Sequence, residues 1–197
     1  LLKLADIPYV GAGVLGSAVG MDKDVMKRLL RDAGIPIAKF FVMREGDSLT
    51  YEEVVEMLGA PFFVKPANLG SSVGVHKVGN KEEFIRAVQD ARKYDCKILV
   101  EEYIKGREIE CSVLGNDEPI ASVPGEIVLH QEFYSYEAKY IDAHGATCEI
   151  PAKLSSEEVK KVQALAVETF KVLSCEGLAR VDFFLKENGD VLVNEIN

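Results

Sequence analysis

A chain of 197 residues, 48% apolar and 28% charged, is long enough for one large or two small domains with a real core. Its net charge of −9 repels nucleic acid and anionic membrane at long range, so neither is an expected partner and any anionic ligand needs a local cluster of cations. The four cysteines, Cys96, Cys111, Cys148 and Cys175, form no C-x-x-C pair and have no histidine beside them, which argues against zinc and for reduced thiols in a cytoplasmic protein.

The first twenty residues are small and apolar, but Asp6 and Pro8 interrupt them and no basic segment precedes, so they do not read as a signal peptide. No stretch reaches membrane-spanning length without charge. The absence of an initiator methionine reads as a fragment or a processed product. Met21 to Ala33 is expected to be a helix with Val25, Met26, Leu29, Leu30 and Ala33 on one apolar stripe, stopped by Gly34 and Pro36. Ala38 to Met43 reads as a strand. Thr50-x-x-Glu53 is a capping box opening a short helix. Pro61 to Lys65 is a strand, Pro66 to Ser72 a loop and Val73 to Val78 a returning strand. Asn80-x-x-Glu83 caps the next helix. Lys97 to Ile127 is mostly strand, turning at Gly115-Asn116-Asp117. Gln131 to Thr147 has no period and reads as a long, functional loop. Ser155-x-x-Glu158 caps a last helix, and strands Gly177 to Leu185 and Val191 to Asn197 close the chain. This order predicts α+β with antiparallel sheets.

Gly11-Ala12-Gly13-Val14-Leu15-Gly16 matches G-x-G-x-x-G, but the acidic ribose ligand of that fingerprint would fall at Asp32, inside the predicted helix. A flexible turn is the reading preferred. The loop Pro66 to Gly74 follows Lys65 and joins two strands. Its glycines would let backbone N–H groups converge on phosphate oxygens, and Ser71 and Ser72 add donors. An ordinary hairpin loop beside a solvated lysine explains the same residues, and the loop alone does not separate the two.

The clearest geometric signal lies at the end. With Asn188-Gly189 as a two-residue type I′ turn, Glu187 pairs with Asp190, Phe184 with Val193, Asp182 with Glu195 and Arg180 with Asn197. Period two puts the polar members of the last two pairs on one face. Directly opposed carboxylates, with Cβ atoms about 4.5–5.5 Å apart, repel. A divalent cation such as Mg²⁺, shared with phosphates, would resolve the conflict, as would a face open to water. Glu101 and Glu108 have no assignment from the residues alone. Tyr136-Glu137-Ala138-Lys139-Tyr140 suits a lid or plain surface, and His144 reads as incidental.

Together these pieces resemble the D-alanine–D-alanine ligases of the ATP-grasp superfamily, from Ile7-Pro8-Tyr9-Val10-Gly11 through Met21-Asp22-Lys23 to Asn194-Glu195-Ile196-Asn197. Val64-Lys65-Pro66 is generic to the superfamily, whereas Gly70-Ser71-Ser72-Val73-Gly74 with Tyr136 to Tyr140 is more specific. The resemblance implies two α/β subdomains clasping ATP: 1–20 as the end of a preceding region and linker, 21–104 as the central subdomain, and 105–197 as the catalytic subdomain. It implies that Lys23, Lys65, Ser72 and Lys139 contact phosphates, that Glu101, Glu102, Tyr103 and Ile104 line the adenine pocket, and that Glu108 holds the ribose. Asp182, Glu195 and Asn197 would bind two Mg²⁺, for which Mn²⁺ can substitute. Arg180 would stabilise the tetrahedral oxyanion, and Tyr140 and Ser71 would tie lid to loop. Two D-alanines as substrates, a homodimer, an amino-terminal domain upstream of Leu1 and a Pro-Gly loop beyond Asn197 complete the implied pattern. A D-alanine–D-lactate ligase, another ATP-grasp carboxylate–amine ligase and an ATP-binding module without turnover are the competing readings.

Overall fold

The computed structural model describes residues 1–129 and 146–197. Two helices, α1 (Val14–Met21) and α2 (Lys23–Asp32), precede β1 (Phe40–Met43), α3 (Tyr51–Leu58), β2 (Phe62–Pro66), β3 (His76–Val78), α4 (Lys81–Ala91) and β4 (Ile98–Glu102). The chain continues with β5 (Arg107–Gly115), β6 (Ile120–Ala121), β7 (Gly125–Leu129), β8 (Ala146–Glu149), α5 (Ser156–Val172), β9 (Gly177–Leu185) and β10 (Val191–Ile196). One sheet has the order β1-β4-β2-β3, and the other β10-β9-β5-β7-β8 with β6 beside β5. Every named strand pair is antiparallel, as expected for α+β.

Local chemistry sets the helix starts. Full capping boxes stand at Thr50/Glu53 and Ser155/Glu158, and the Asn80 side chain accepts from the Glu83 N–H. The single helix expected over Met21 to Ala33 is divided: Met21 ends α1, and the Asp22 carboxylate caps α2 by accepting from Asp24 N at 3.1 Å and Val25 N at 3.2 Å. Its buried face is also rotated. Lys23, Met26, Lys27 and Leu30 are buried, whereas Val25 and Leu29 are each 39% exposed. The turn expected at Gly11–Gly16 runs into α1, capped at Gly13. Gly16 is needed there, because a Cβ would stand 2.6 Å from the Ser174 carbonyl oxygen.

Each sheet has its own core. Met43, Val54, Phe62, Phe84 and Ile98 fill the smaller one, and Phe170, Phe183, Val193 and Ile109 the larger. Met26, Leu30 and Ile35 belong to the larger core, so α2 is anchored on the second sheet. A backbone bond from Val193 N to Pro36 O, 2.8 Å, fastens the α2–β1 connection to β10.

The final hairpin corrects the counted register. Lys186 N donates to Asp190 O and Gly189 N to Lys186 O, both 2.9 Å, with Gly189 at φ +82°. The loop is therefore three residues, a type I turn closed by a left-handed glycine. Val193 faces Phe183 rather than Phe184, and Glu187 does not pair with Asp190. A register shift between Val193 and Glu195 then returns Glu195 to Asp182, and reciprocal 2.8 Å bonds join Arg180 to Asn197. The two one-residue offsets cancel. The extra residue, Asn194, makes the bulge.

Candidate functional site

The site begins where β2 runs into its loop. Across the β2–β4 ladder Phe63 faces Glu101 and Lys65 faces Leu99. Period two therefore puts Phe63, Lys65 and Glu101 on one side. The next residues are pinned from below: Ala67 N donates to Lys97 O at 3.0 Å, and Asp95 accepts from the Asn68 N–H and side-chain amide at 2.9 and 2.7 Å. Lys97 Nζ in turn contacts Asp22 at 2.5 Å and Asp24 at 3.2 Å, tying the loop to the start of α2. Above this base Ser71 and Ser72 both lie in the left-handed region, at φ +55° and +59°. Strain of that kind collects at ligand clamps. Lys23, on the first turn of α2, donates from Nζ to Leu69 O at 2.5 Å and stands 3.7 Å from Glu195.

Beneath the loop Glu101 is buried between two ammonium groups, Lys27 and Lys65. Burial by itself would raise the Glu101 carboxyl; the charges and hydrogen bonds of both lysines outweigh it and hold the group down at about 2. Burial pushes Lys23 and Lys27 below the usual lysine range, with Glu195 opposing it for Lys23 and Glu101 for Lys27.

Between the two sheets a cavity of about 190 Å³ opens above this floor. Part of its lining is apolar, Phe63, Val75, Ile104 and Phe184, with the Tyr103 ring 6.0 Å from that of Phe63. Glu102 also borders it, and its carboxylate accepts from Lys39 N at 2.6 Å. The same cavity is also lined by Lys23, Lys65, Ser71, Ser72 and Glu195. A second, more polar cavity of about 240 Å³ shares Ser71, Glu108, Phe184, Asn194 and Glu195 with the first. It adds Glu110, Arg180, Asp182 and Asn197.

In that second cavity Arg180 grips Asp182 through two bonds of 2.7 and 2.8 Å and stands 3.4 Å from Glu110. The Asn197 amide donates to Asp182 at 2.9 Å. Burial, aided by the charges of Glu110 and Glu195, raises the Asp182 carboxyl to about 6 despite its arginine. The bond to Asp182 raises Arg180 in turn. Among the described residues no three His, Cys, Asp or Glu side chains converge on one ion position. Asp182, Glu195 and the Asn197 amide offer oxygen ligands of a kind that fits a hard divalent cation completed by phosphates or water.

The family described as "D-ala D-ala ligase C-terminus" matches residues 29–197. The chain belongs to the D-alanine–D-alanine ligase family. It is 57% identical to the D-alanine–D-alanine ligase of Oceanobacillus iheyensis over 100% of its own length and 54% of the relative's. It is 52% identical to D-alanine–D-alanine ligase A of Salmonella typhimurium over 100% of its length and 55% of that protein. Among solved structures, the D-alanine–D-alanine ligase of Coxiella burnetii has a TM-score of 0.87 at 42% identity, covering 100% of this chain and 52% of that one. The VanG D-Ala:D-Ser ligase of Enterococcus faecalis has 0.88 at 38%, covering 99% and 57%. The chain thus spans about half the length of the curated relatives it matches. Its fold is the α+β ATP-grasp fold of these ligases.

The residues that sequence and family resemblance single out lie along these two cavities. Lys23, Lys65, Ser71, Ser72, Glu101, Glu102, Tyr103, Ile104 and Glu108 line the first. Arg180, Asp182, Glu195 and Asn197 line the second. Lys139 and Tyr140 lie outside the described residues. Sequence reasoning missed Phe63, Phe184, Glu110, Asn194 and Lys27. The first two stood two residues from Lys65 and Asp182, on the same strand face, and period two could have found them. Glu110 faces Asp182 only because β5 pairs with β9.

Proposed function

We propose that this chain carries the nucleotide-binding and catalytic part of an ATP-dependent D-alanine–D-alanine ligase, which forms D-alanyl-D-alanine for peptidoglycan precursors and releases ADP and phosphate. The observation that carries this reading is the make-up of the adjoining cavities: apolar side chains with Lys23 and Lys65 in the first, a carboxylate cluster with its arginine in the second. Adenine suits the slot between Phe63, Tyr103, Ile104 and Phe184, and Glu108 stands where a ribose would follow. Lys23, Lys65 and the strained Ser71–Ser72 turn suit the phosphates in a protein whose net charge would otherwise repel them. Asp182, Glu195 and Asn197 would hold divalent ions, Mg²⁺ or Mn²⁺, whose charge neutralises the phosphates in transfer.

A carboxylate is a poor electrophile. Its oxygen attacks the γ-phosphorus, ADP leaves, and the acyl phosphate now carries a leaving group. The amine of the second D-alanine attacks the acyl carbon, phosphate departs and the nitrogen loses a proton. Such chemistry needs positioning and charge neutralisation rather than a nucleophilic side chain. Arg180 is assigned to the oxyanion, and Lys139, Tyr140 and Ser71 to closure over the intermediate. A homodimer, a cytoplasmic location and the division at residues 1–20, 21–104 and 105–197 belong to the same reading. Among the described residues no helix is long and apolar enough to cross a membrane.

The test is Lys65→Ala in the full-length protein, with ATP and adenosine affinities from calorimetry. ATP affinity is expected to fall more than adenosine affinity; equal losses would remove Lys65 from the phosphate site. Product analysis with D-alanine, D-serine and D-lactate then settles the second substrate.

A further inference from the structure

Glu101 is one carboxylate shared by two ammonium groups, and only one of them reaches the nucleotide cavity. Lys65 lines it. Lys27 is fully buried one helical turn after Lys23, its Nζ 5.8 Å from the centroid of the Phe40 ring, and Phe40 faces Glu101 across the β1–β4 ladder. Apolar side chains often replace buried ion pairs and triads without loss, so the fold alone does not require this one. Here two cations and one anion leave a net positive charge in a place where charge is costly. An anion bound at the open side would offset that cost.

We infer that Lys27 is a positioning residue for the nucleotide phosphates: it neutralises Glu101 from the rear, so that Glu101 fixes the Lys65 ammonium at the cavity floor without cancelling its charge. The inference rests on the reading of Lys65 as a phosphate contact. The local wiring supports it. Lys27 and Lys23 lie one turn apart on α2, so the helix that presents one phosphate lysine also delivers the charge that preserves the other. Without Lys27, Lys65 and Glu101 form a neutral pair, and Lys23 has its own carboxylate, Glu195, at 3.7 Å.

The test uses Lys27→Met and Lys27→Gln in the full-length protein, two neutral side chains of different shape, each checked for folding by thermal melting. ATP and adenosine affinities are measured by calorimetry, and their ratio reports the phosphate part of binding. The ratio is expected to fall about tenfold in whichever neutral variant folds, a loss of about 1.4 kcal/mol. Adding Glu101→Gln to the Lys27 variant removes the carboxylate that now cancels Lys65, and the ratio should recover most of the loss. A merely structural lysine would lower both affinities together, and a second substitution beside it would not restore the ratio. An unchanged ratio in the Lys27 variants, beside a lowered ratio in Lys65→Ala, overturns the role of Lys27 alone. A Lys65→Ala protein that keeps the wild-type ratio overturns the phosphate reading and this inference with it.

Discussion

Gly74 closes the loop that follows Pro66, and replacing it with alanine tests whether the loop's shape is built in by its neighbours. Two costs add. Its φ of +69° is one that alanine adopts only at about 1 kcal/mol or somewhat more. A Cβ would also stand 2.8 Å from Tyr94 Cδ2 and 2.9 Å from Pro66 Cγ. Pro66 is held at the end of β2, so the half-exposed Tyr94 ring must swing outward, an overpacking cost of roughly 1–3 kcal/mol. The sum is roughly 2–4 kcal/mol, or a melting temperature lower by about 5–15 °C in a domain of this size. Urea and thermal unfolding of wild type, Gly74→Ala, Tyr94→Ala and the double variant make a cycle. In the Tyr94→Ala background the glycine substitution should cost less, because only the backbone part and the 2.9 Å contact with Pro66 Cγ remain. ATP affinity should fall with Gly74→Ala, because Ser71 and Ser72 ride on the same turn. A Gly74→Ala protein within about 0.5 kcal/mol of wild type refutes the argument, and so does an identical cost in both backgrounds.

Asp182→Asn and Glu195→Gln should each remove most of the divalent-ion-dependent turnover of the full-length protein while leaving the melting temperature near that of wild type. Near-normal turnover of both variants with Mg²⁺ and ATP would sink the metal assignment. Acid stability follows from Glu101. Its carboxyl is held at about 2 against an ordinary 4.5, so its contribution is complete above pH 4.5 and is lost as pH falls towards 2. Wild type should therefore lose stability through that window, and Glu101→Gln, weaker at neutral pH, should have a flatter profile there. Parallel urea-midpoint profiles for the two proteins between pH 4.5 and 2 would contradict this.

Helix starts at Thr50, Asn80 and Ser155 were legible because a cap is a bond between residues three apart, and nothing distant has to cooperate. Arg180 and Asp182 could be placed on one strand face because the pleat alternates whatever surrounds it. Their partners were another matter. The counted hairpin reached Glu195 opposite Asp182 by two offsets that cancel, a longer turn and a bulge at Asn194, neither of which local preference distinguishes from a shorter turn without a bulge. Glu110 enters the cluster through pairing of strands far apart in the chain.

The sequence alone determined the helix starts at Thr50, Asn80 and Ser155, which strand faces alternate, and that Lys65 precedes a glycine- and serine-rich loop, because these depend on near neighbours and on backbone geometry. Only the tertiary structure decided that α2 turns Lys23 and Lys27 inward while leaving Val25 and Leu29 half exposed. Pattern reading treats a lysine as outward-facing, since burying an unpaired ammonium costs more than burying an aliphatic chain returns. That balance reverses once a buried carboxylate waits at the right depth, and Glu101 reaches that depth only after β4 has paired with β1 and β2.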